Sequence, residues 1–450
     1  MLFSSIPFLY YFLPVTVLLY WAVPKRAKNA SLLLCSLFFY GWGEPKYLLL
    51  MALTILWGYL SGLLLERKPT KWAMLLSAAA PIAALLYFKY TDFFLGMFSL
   101  PLQHIALPIG ISFYTFQILS YLADVYRKDA KAQKNFINFA AYVSLFPQLV
   151  AGPIVRYQTI ADELDSRSVS QEDVIYGIQR FLIGLGKKVL IANVLGELTA
   201  AYRAAVEPSV LFAWLYAVAY AMQIYFDFSG YSDMAIGLGR VFGFHFLENF
   251  NYPFLSASAT EFWRRWHMSL GTWFRDYVYI PLGGSRCSRI KWLRNILVVW
   301  ALTGFWHGAA WNFILWGLLF AALLLMEKYV KLPKGISHVY LLLVVIFSFV
   351  LFGASDLRQF GADFAALLGL RGLPAASTES LYYLRSFAVP LLVGILGSTP
   401  LPKQLAGKLE NKLPVPAWNI LRTTALLILL VLCTAYLADG SFNPFLYFRF

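Results

Sequence analysis

His307 sits in the run LTGFWHGAAWNFILWG, residues 302 to 317, where nearly every other side chain is apolar or small. Ionisable groups inside apolar, membrane-depth segments are costly and mark function by default. An imidazole in such surroundings is neutral and can take a proton from a hydroxyl. Gly304 and Gly308 leave room beside it. The structural alternative is a histidine hydrogen-bonded at a helix contact, with the glycines serving close packing. His267 follows the aromatic and basic run WRRW, with Glu261 upstream. Interfacial helices often hold a histidine among Trp and Arg without a chemical role, so its structural reading is at least as good as its functional one. Asp227, in QIYFDFSGYSDM (223 to 234), is an acid at the edge of an apolar run, with Ser229, Tyr231, Ser232 and Asp233 close behind. Such a cluster can begin a proton relay or a transport site. Helix-end capping at a re-entrant turn is the simpler reading. His104, His245 and His338 read as loop or interface residues.

The C-terminal stretch NPFLYFRF is the remaining chemical feature. Interfacial aromatics commonly form a belt, yet a tail of this kind after Gly440 and Pro444 can also fold back into a cavity. The phenol of Tyr447 is acidic for a hydroxyl, so an ester made on it is activated for onward transfer. The sequence contains no G-x-S-x-G elbow, H-E-x-x-H zinc pair, Walker loop or dinucleotide fingerprint. Metal and nucleotide-cofactor chemistry are therefore not expected. Three cysteines, Cys35, Cys287 and Cys433, are odd in number and far apart, which predicts no disulfide.

The elements that must hold these groups follow from composition. The chain has 450 residues, 60% hydrophobic and 18% aromatic, and its 37 Lys+Arg and 23 Asp+Glu make 60 charged residues. A soluble chain of this size carries about 112, so an ordinary soluble enzyme is excluded and an all-α polytopic membrane protein is expected. Apolar runs of the length needed to cross about 30 Å of hydrocarbon begin at residues 6 to 23. Further candidates are 30 to 42, 47 to 65, 72 to 88, 105 to 125, 174 to 192, 210 to 228, 293 to 307, 311 to 326, 337 to 353, 385 to 399 and 418 to 438, giving eleven or twelve spans. Residues 136 to 160, broken by Pro147, Gly152 and Pro153, read as a re-entrant segment buried in protein. Residues 249 to 284, rich in Trp, Tyr and Arg, read as amphipathic helices at the inner interface.

Alternate loops hold 23 of the 37 basic residues, seven of them in 250 to 294. The positive-inside rule then places both chain ends on the outer face of a cytoplasmic membrane. Basic residues dispersed among loops without a base-reading module are orientation signals and contacts for anionic lipid heads, not a nucleic-acid footprint.

Five long runs resemble the bacterial branch of the membrane-bound O-acyltransferase family, most closely its alginate O-acetyltransferase type. They are LPIGISFYTFQILSYLADVYR (107 to 127), FPQLVAGPIVRY (146 to 157), QIYFDFSGYSDMAIGLGR (223 to 240), ENFNYPFLSASATEFWRRWHMSLGTWFRDYVYIPLGG (248 to 284) and LTGFWHGAAWNFILWG (302 to 317). The resemblance implies a single domain over 1 to 450 with a catalytic core at 107 to 317 and an extracytoplasmic tail at 438 to 450. It also implies a ring of helices around a thin partition, with an outer funnel and a cytoplasmic passage. The family's catalytic histidine falls on His307 and its second histidine on His267; Asp227, Asn251 and Trp306 are further candidates for supporting residues. In the related teichoic-acid D-alanylation systems a partner protein ends in F-x-Y-x-x-F, and Phe445, Tyr447 and Phe450 repeat that spacing here.

The resemblance further implies no bound cofactor, with acetyl-CoA or another thioester as acyl donor. It implies an extracytoplasmic partner of the serine-esterase type and an exported polysaccharide as acceptor. A D-alanyl transferase fed by a carrier protein's phosphopantetheine arm remains open at this point. So do a polysaccharide or ion transporter, for which a single buried histidine and one edge acid are poor equipment, and a scaffold of a synthase complex.

Overall fold

The computed structural model describes residues 2–150 and 152–440. Among these residues the secondary structure is helical, with no strand. Tyr447, Phe445 and Phe450 lie outside the described residues.

Among the described residues seven helices are long and apolar enough to cross a bilayer: Pro45–Arg67, Lys71–Met97, Val210–Val241, Trp311–Tyr329, Gly335–Gly353, Thr378–Gly397 and Val415–Ala438. Phe8–Ala22 is apolar but shorter. The other expected spans are helical with a different character. Lys28–Gly43 and Gln171–Gly186 have 16 residues each and Ile111–Arg127 has 17, which at 1.5 Å per residue is about 24–26 Å. Arg289–His307 has the length, at 19 residues, but opens with Arg289, Lys291 and Arg294. Ile111–Arg127 is buried along most of its length. Its surroundings are protein, so polar residues such as Gln117 and Asp124 are tolerated there, and the apolar signal is diluted.

The described residues fall into two compact units. The first comprises 1–181, 231–248 and 275–277. Here the expected re-entrant segment is two short helices, Phe136–Ser144 and Phe146–Leu149, broken at Leu145 and buried from Phe139 to Val150. Its freed polar groups find partners within protein, as re-entrant backbone requires. The Phe146 amide donates to Ser36 Oγ at 3.1 Å, and Gln148 donates to the Tyr142 carbonyl. Arg156 binds Asp276 at 2.7 Å, and Tyr277 donates to Asp124 at 2.8 Å.

The second unit comprises 182–230, 249–274 and 278–440 of the described residues. Its centre is the helical hairpin Arg289–His307 and Trp311–Tyr329, joined by Gly308, Ala309 and Ala310. Lipid supplies no hydrophobic drive between helices, so close packing at small residues must hold them together. A Cβ on Gly304 would strike the Phe313 carbonyl, and one on Gly317 the Trp300 carbonyl. Against this hairpin packs the short helix Ala259–Arg265. Its N-terminal amides at Ala259 and Thr260 donate to the Glu327 carboxylate, and Ser258 Oγ accepts from the Glu261 amide. Orphan donors at a helix start are thereby satisfied. Trp263 then stands edge-on to Trp300, Trp316 and Phe320, with ring centroids 4.9, 5.4 and 4.9 Å away.

Candidate active site

His307 is the last residue of helix Arg289–His307 and is 5% exposed. Three aromatic rings meet its imidazole edge to face: Trp306 at 5.0 Å, Trp316 at 5.1 Å and Phe352 at 5.3 Å between centroids. Phe352 is held in place from behind, because Asn312 Nδ2 donates to the carbonyls of Phe352 and Ala354 at 3.2 and 3.0 Å. A histidine enclosed by aromatic rings is shielded from bulk water. The space beside Gly308 is occupied by the Phe313 ring, and Gly304 packs on the Phe313 backbone. These glycines serve close packing, and the expectation that they leave room beside His307 is corrected.

His267 lies between helices Ala259–Arg265 and Met268–Phe274, outside the seven spans. It is 1% exposed, and its φ of 43° is left-handed, a conformation a non-glycine residue holds only when its surroundings impose it. Nδ1 is 3.1 Å from Asn249 Oδ1, and the ring stands edge-on to Phe228 at 4.6 Å. The Trp306 ring lies 6.1 Å from the His267 ring and 5.0 Å from that of His307, so one indole is shared by both imidazoles. Burial holds the His267 pKa well below the usual histidine range, and His307 adds to the effect. His267 is therefore neutral near pH 7 and available as a proton acceptor or a neutral donor.

Asp227 stands inside the continuous helix Val210–Val241. The helix-end capping expected for it is not what the chain does. It pairs instead with Lys188 Nζ at 2.5 Å, both side chains being 3% exposed. Lys188 belongs to the π-helical stretch Lys187–Asn193, the kind of bulge that recurs at functional places in helices. Asn251 is exposed, and its main-chain amide donates to the Arg265 carbonyl at 2.9 Å. The asparagine beside His267 is Asn249, not Asn251. No group of three His, Cys, Asp or Glu residues fit to hold a metal occurs among the described residues.

Residues 35–333 match the sequence profile of the membrane-bound O-acyltransferase family. The chain belongs to this family. His307, His267, Trp306, Asn249 and Asp227 all fall within the matched residues, and the chain is a multi-pass membrane-bound O-acyltransferase. It is 38% identical to the probable alginate O-acetylase of Pseudomonas putida over the full length of both chains. It is 33% identical to the peptidoglycan O-acetyltransferase of Helicobacter pylori over 83% of this chain and 81% of that protein. To the teichoic acid D-alanyltransferase of Bacillus subtilis it is 32% identical over 54% of this chain and 67% of that one. Membership of an acyltransferase family replaces the transporter and scaffold readings.

Sequence reasoning missed Lys188, Asn249, Asn312 and Phe352. Lys188 carried a usable signal, being a charge within the apolar run 174 to 192. The two asparagines carried none, because amides contrast little with their neighbours and their partners lie 18 and 40 residues away along the chain.

Proposed function

We propose that the protein moves an acetyl group from a cytoplasmic thioester, most simply acetyl-CoA, through the bacterial cytoplasmic membrane for O-acetylation of an exported polysaccharide. The observation that carries this reading is the aromatic enclosure of a buried His307, with His267 neutral on the far side of Trp306. Likeness to an alginate O-acetylase over the full length of both chains supports an acetyl group. The shorter match to a D-alanyltransferase supports D-alanine less well.

In this reading both chain ends face outward and His307 acts as general base on the phenol of Tyr447. The phenol oxygen attacks the thioester carbonyl, the C–S bond breaks, and the proton held by His307 passes to the departing thiolate. The resulting aryl acetate is an activated ester. The tail residues Phe445 and Phe450 seat it, and an extracytoplasmic partner of the serine-esterase type takes the acetyl group to a sugar hydroxyl. Exclusion of water around His307 protects the ester from hydrolysis.

The experiment is acetyl content of the exported polymer in cells carrying single variants. His307→Ala and Tyr447→Phe are each expected to lower it by about a hundredfold or more, with protein level and membrane insertion unchanged. Mass spectrometry of the C-terminal peptide is expected to find acetyl on Tyr447 that is lost in His307→Ala. Normal acetylation by Tyr447→Phe would remove the shuttle step, and normal acetylation by His307→Ala would remove the base.

A further inference from the structure

We propose that Asn249 is the positioning residue that locks His267 in its Nδ1–H tautomer, so that Nε2 is presented as the proton acceptor. The inference rests on the reading of His267 as a site residue.

The geometry around the Asn249 side chain fixes which of its atoms is oxygen. Oδ1 lies 3.2 Å from the main-chain nitrogen of Ser269, 2.9 Å from Ser269 Oγ and 3.1 Å from His267 Nδ1. A backbone N–H can only donate, so the atom facing it must accept. Turning the amide over would set an NH2 group against that N–H. Oδ1 has no proton to give, so the ring nitrogen beside it must carry one, which assigns the proton of the neutral imidazole to Nδ1 and the lone pair to Nε2. An imidazole side chain in water prefers the opposite tautomer, so the choice is imposed by the protein.

The surrounding chain is built to keep Asn249 in this position. Its main-chain carbonyl accepts from the Met268 amide at 3.0 Å, and two residues on the Asn251 amide donates to the Arg265 carbonyl at 2.9 Å. These two bonds bracket His267 and strap the 249–251 strand of chain to the link between the two short helices. The left-handed φ at His267 is what brings its ring back toward that strap. Asn249 is completely buried, and its Nδ2 makes no hydrogen bond among the described residues. The side chain is thus held through Oδ1 alone, on the atoms of His267 and Ser269. Fixing the tautomer of a catalytic histidine through a second group is a device whose loss typically lowers turnover while leaving the fold in place.

The test uses the full chain, labelled with 15N-histidine and held in lipid nanodiscs at pH 8. The His267 resonances, among those of five histidines, are identified by their disappearance in His267→Gln. The expected wild-type signature is a protonated Nδ1 and a bare Nε2. Asn249→Ala moves the proton to Nε2, whereas Asn249→Asp and Ser269→Ala leave Nδ1 protonated. In cells, Asn249→Ala lowers polymer acetylation about tenfold or more, and Asn249→Asp, which keeps the acceptor, restores at least half. A wild-type spectrum with the proton on Nε2 overturns the proposal. So does Asn249→Ala with unchanged acetylation beside an inactive His267→Gln. If His267→Gln itself acetylates normally, the reading of His267 as a site residue fails, and the tautomer assignment is judged by the spectrum alone.

Discussion

Lys188 and Asp227 are paired in the second unit, 2.5 Å apart with both side chains 3% exposed. Removing one partner leaves the other charged and buried, which costs on the order of 3–5 kcal/mol, whereas replacing both with apolar residues is close to neutral. Lys188→Met is therefore expected to lower the detergent-solubilised Tm sharply and to reduce the amount of inserted protein, and Lys188→Met with Asp227→Leu to recover both. A double variant with wild-type Tm and no acetylation would show that the pair acts in transfer and not only in holding two helices together. Asn312 gives a graded counterpart. Asn312→Leu frees the carbonyls of Phe352 and Ala354, an effect of about 1–3 kcal/mol, and loosens one wall of the His307 enclosure. Acetylation is expected to fall severalfold, with Tm down by a few degrees. At this scale the burial of His307 was legible, because an ionisable ring among apolar residues is a contrast visible in one dimension, whereas that of His267, in an aromatic and basic run, was not. Their partners were not: the Asn249–His267 bond depends on a left-handed turn at His267 that no residue type there announces.

Among the elements, the hairpin Arg289–His307 and Trp311–Tyr329 decides where His307 stands, and its glycines decide how closely its arms approach. Gly304→Ala would force a methyl into the Phe313 carbonyl, and Gly317→Ala into that of Trp300. Overpacking of this kind costs about 1–3 kcal/mol and shifts the helix end that carries the imidazole. Both variants are expected to lose more activity than stability, seen as acetylation falling tenfold or more while Tm falls by a few degrees. Gly407 is the control. It lies in the exposed helix Leu401–Lys412 with nothing within 4 Å of an added Cβ. Gly407→Ala is expected to leave acetylation unchanged and to raise stability by up to about 1 kcal/mol, the helix-propensity difference. Helix content and the re-entrant break at Leu145 were readable from apolar runs and from Pro147. The number of bilayer-length helices was not, because several expected apolar runs fold into helices of only 16 or 17 residues, Ile111–Arg127 among them.

For the whole molecule, the proposed outward transfer of an acetyl group requires that donor and acceptor be met on opposite faces, so orientation is part of the proposed mechanism. Basic residues set that orientation. On that rule the seven in 250 to 294 are expected in the cytoplasm, and the sparse loop around Arg203 outside. Two exposed positions make the assignment measurable. Val206 is 87% exposed and Ile290 is 82% exposed, whereas Cys35 and Cys433 are buried and only Cys287 needs removal. In a Cys287→Ser background, Val206→Cys in intact spheroplasts is expected to react with a membrane-impermeant maleimide. Ile290→Cys is expected to react only after permeabilisation. The reverse pattern would place the basic loops outside and would turn the donor side of the enzyme toward the extracytoplasmic space. Labelling of both positions in intact cells would mean that one of the two loops lies on the face opposite to its charge. The expected orientation rests on lysines and arginines that are counted rather than placed. The exposure that turns it into an experiment comes from packing, which leaves Ile290 bare beside Trp292, whose ring is covered by Lys328 Nζ at 3.6 Å.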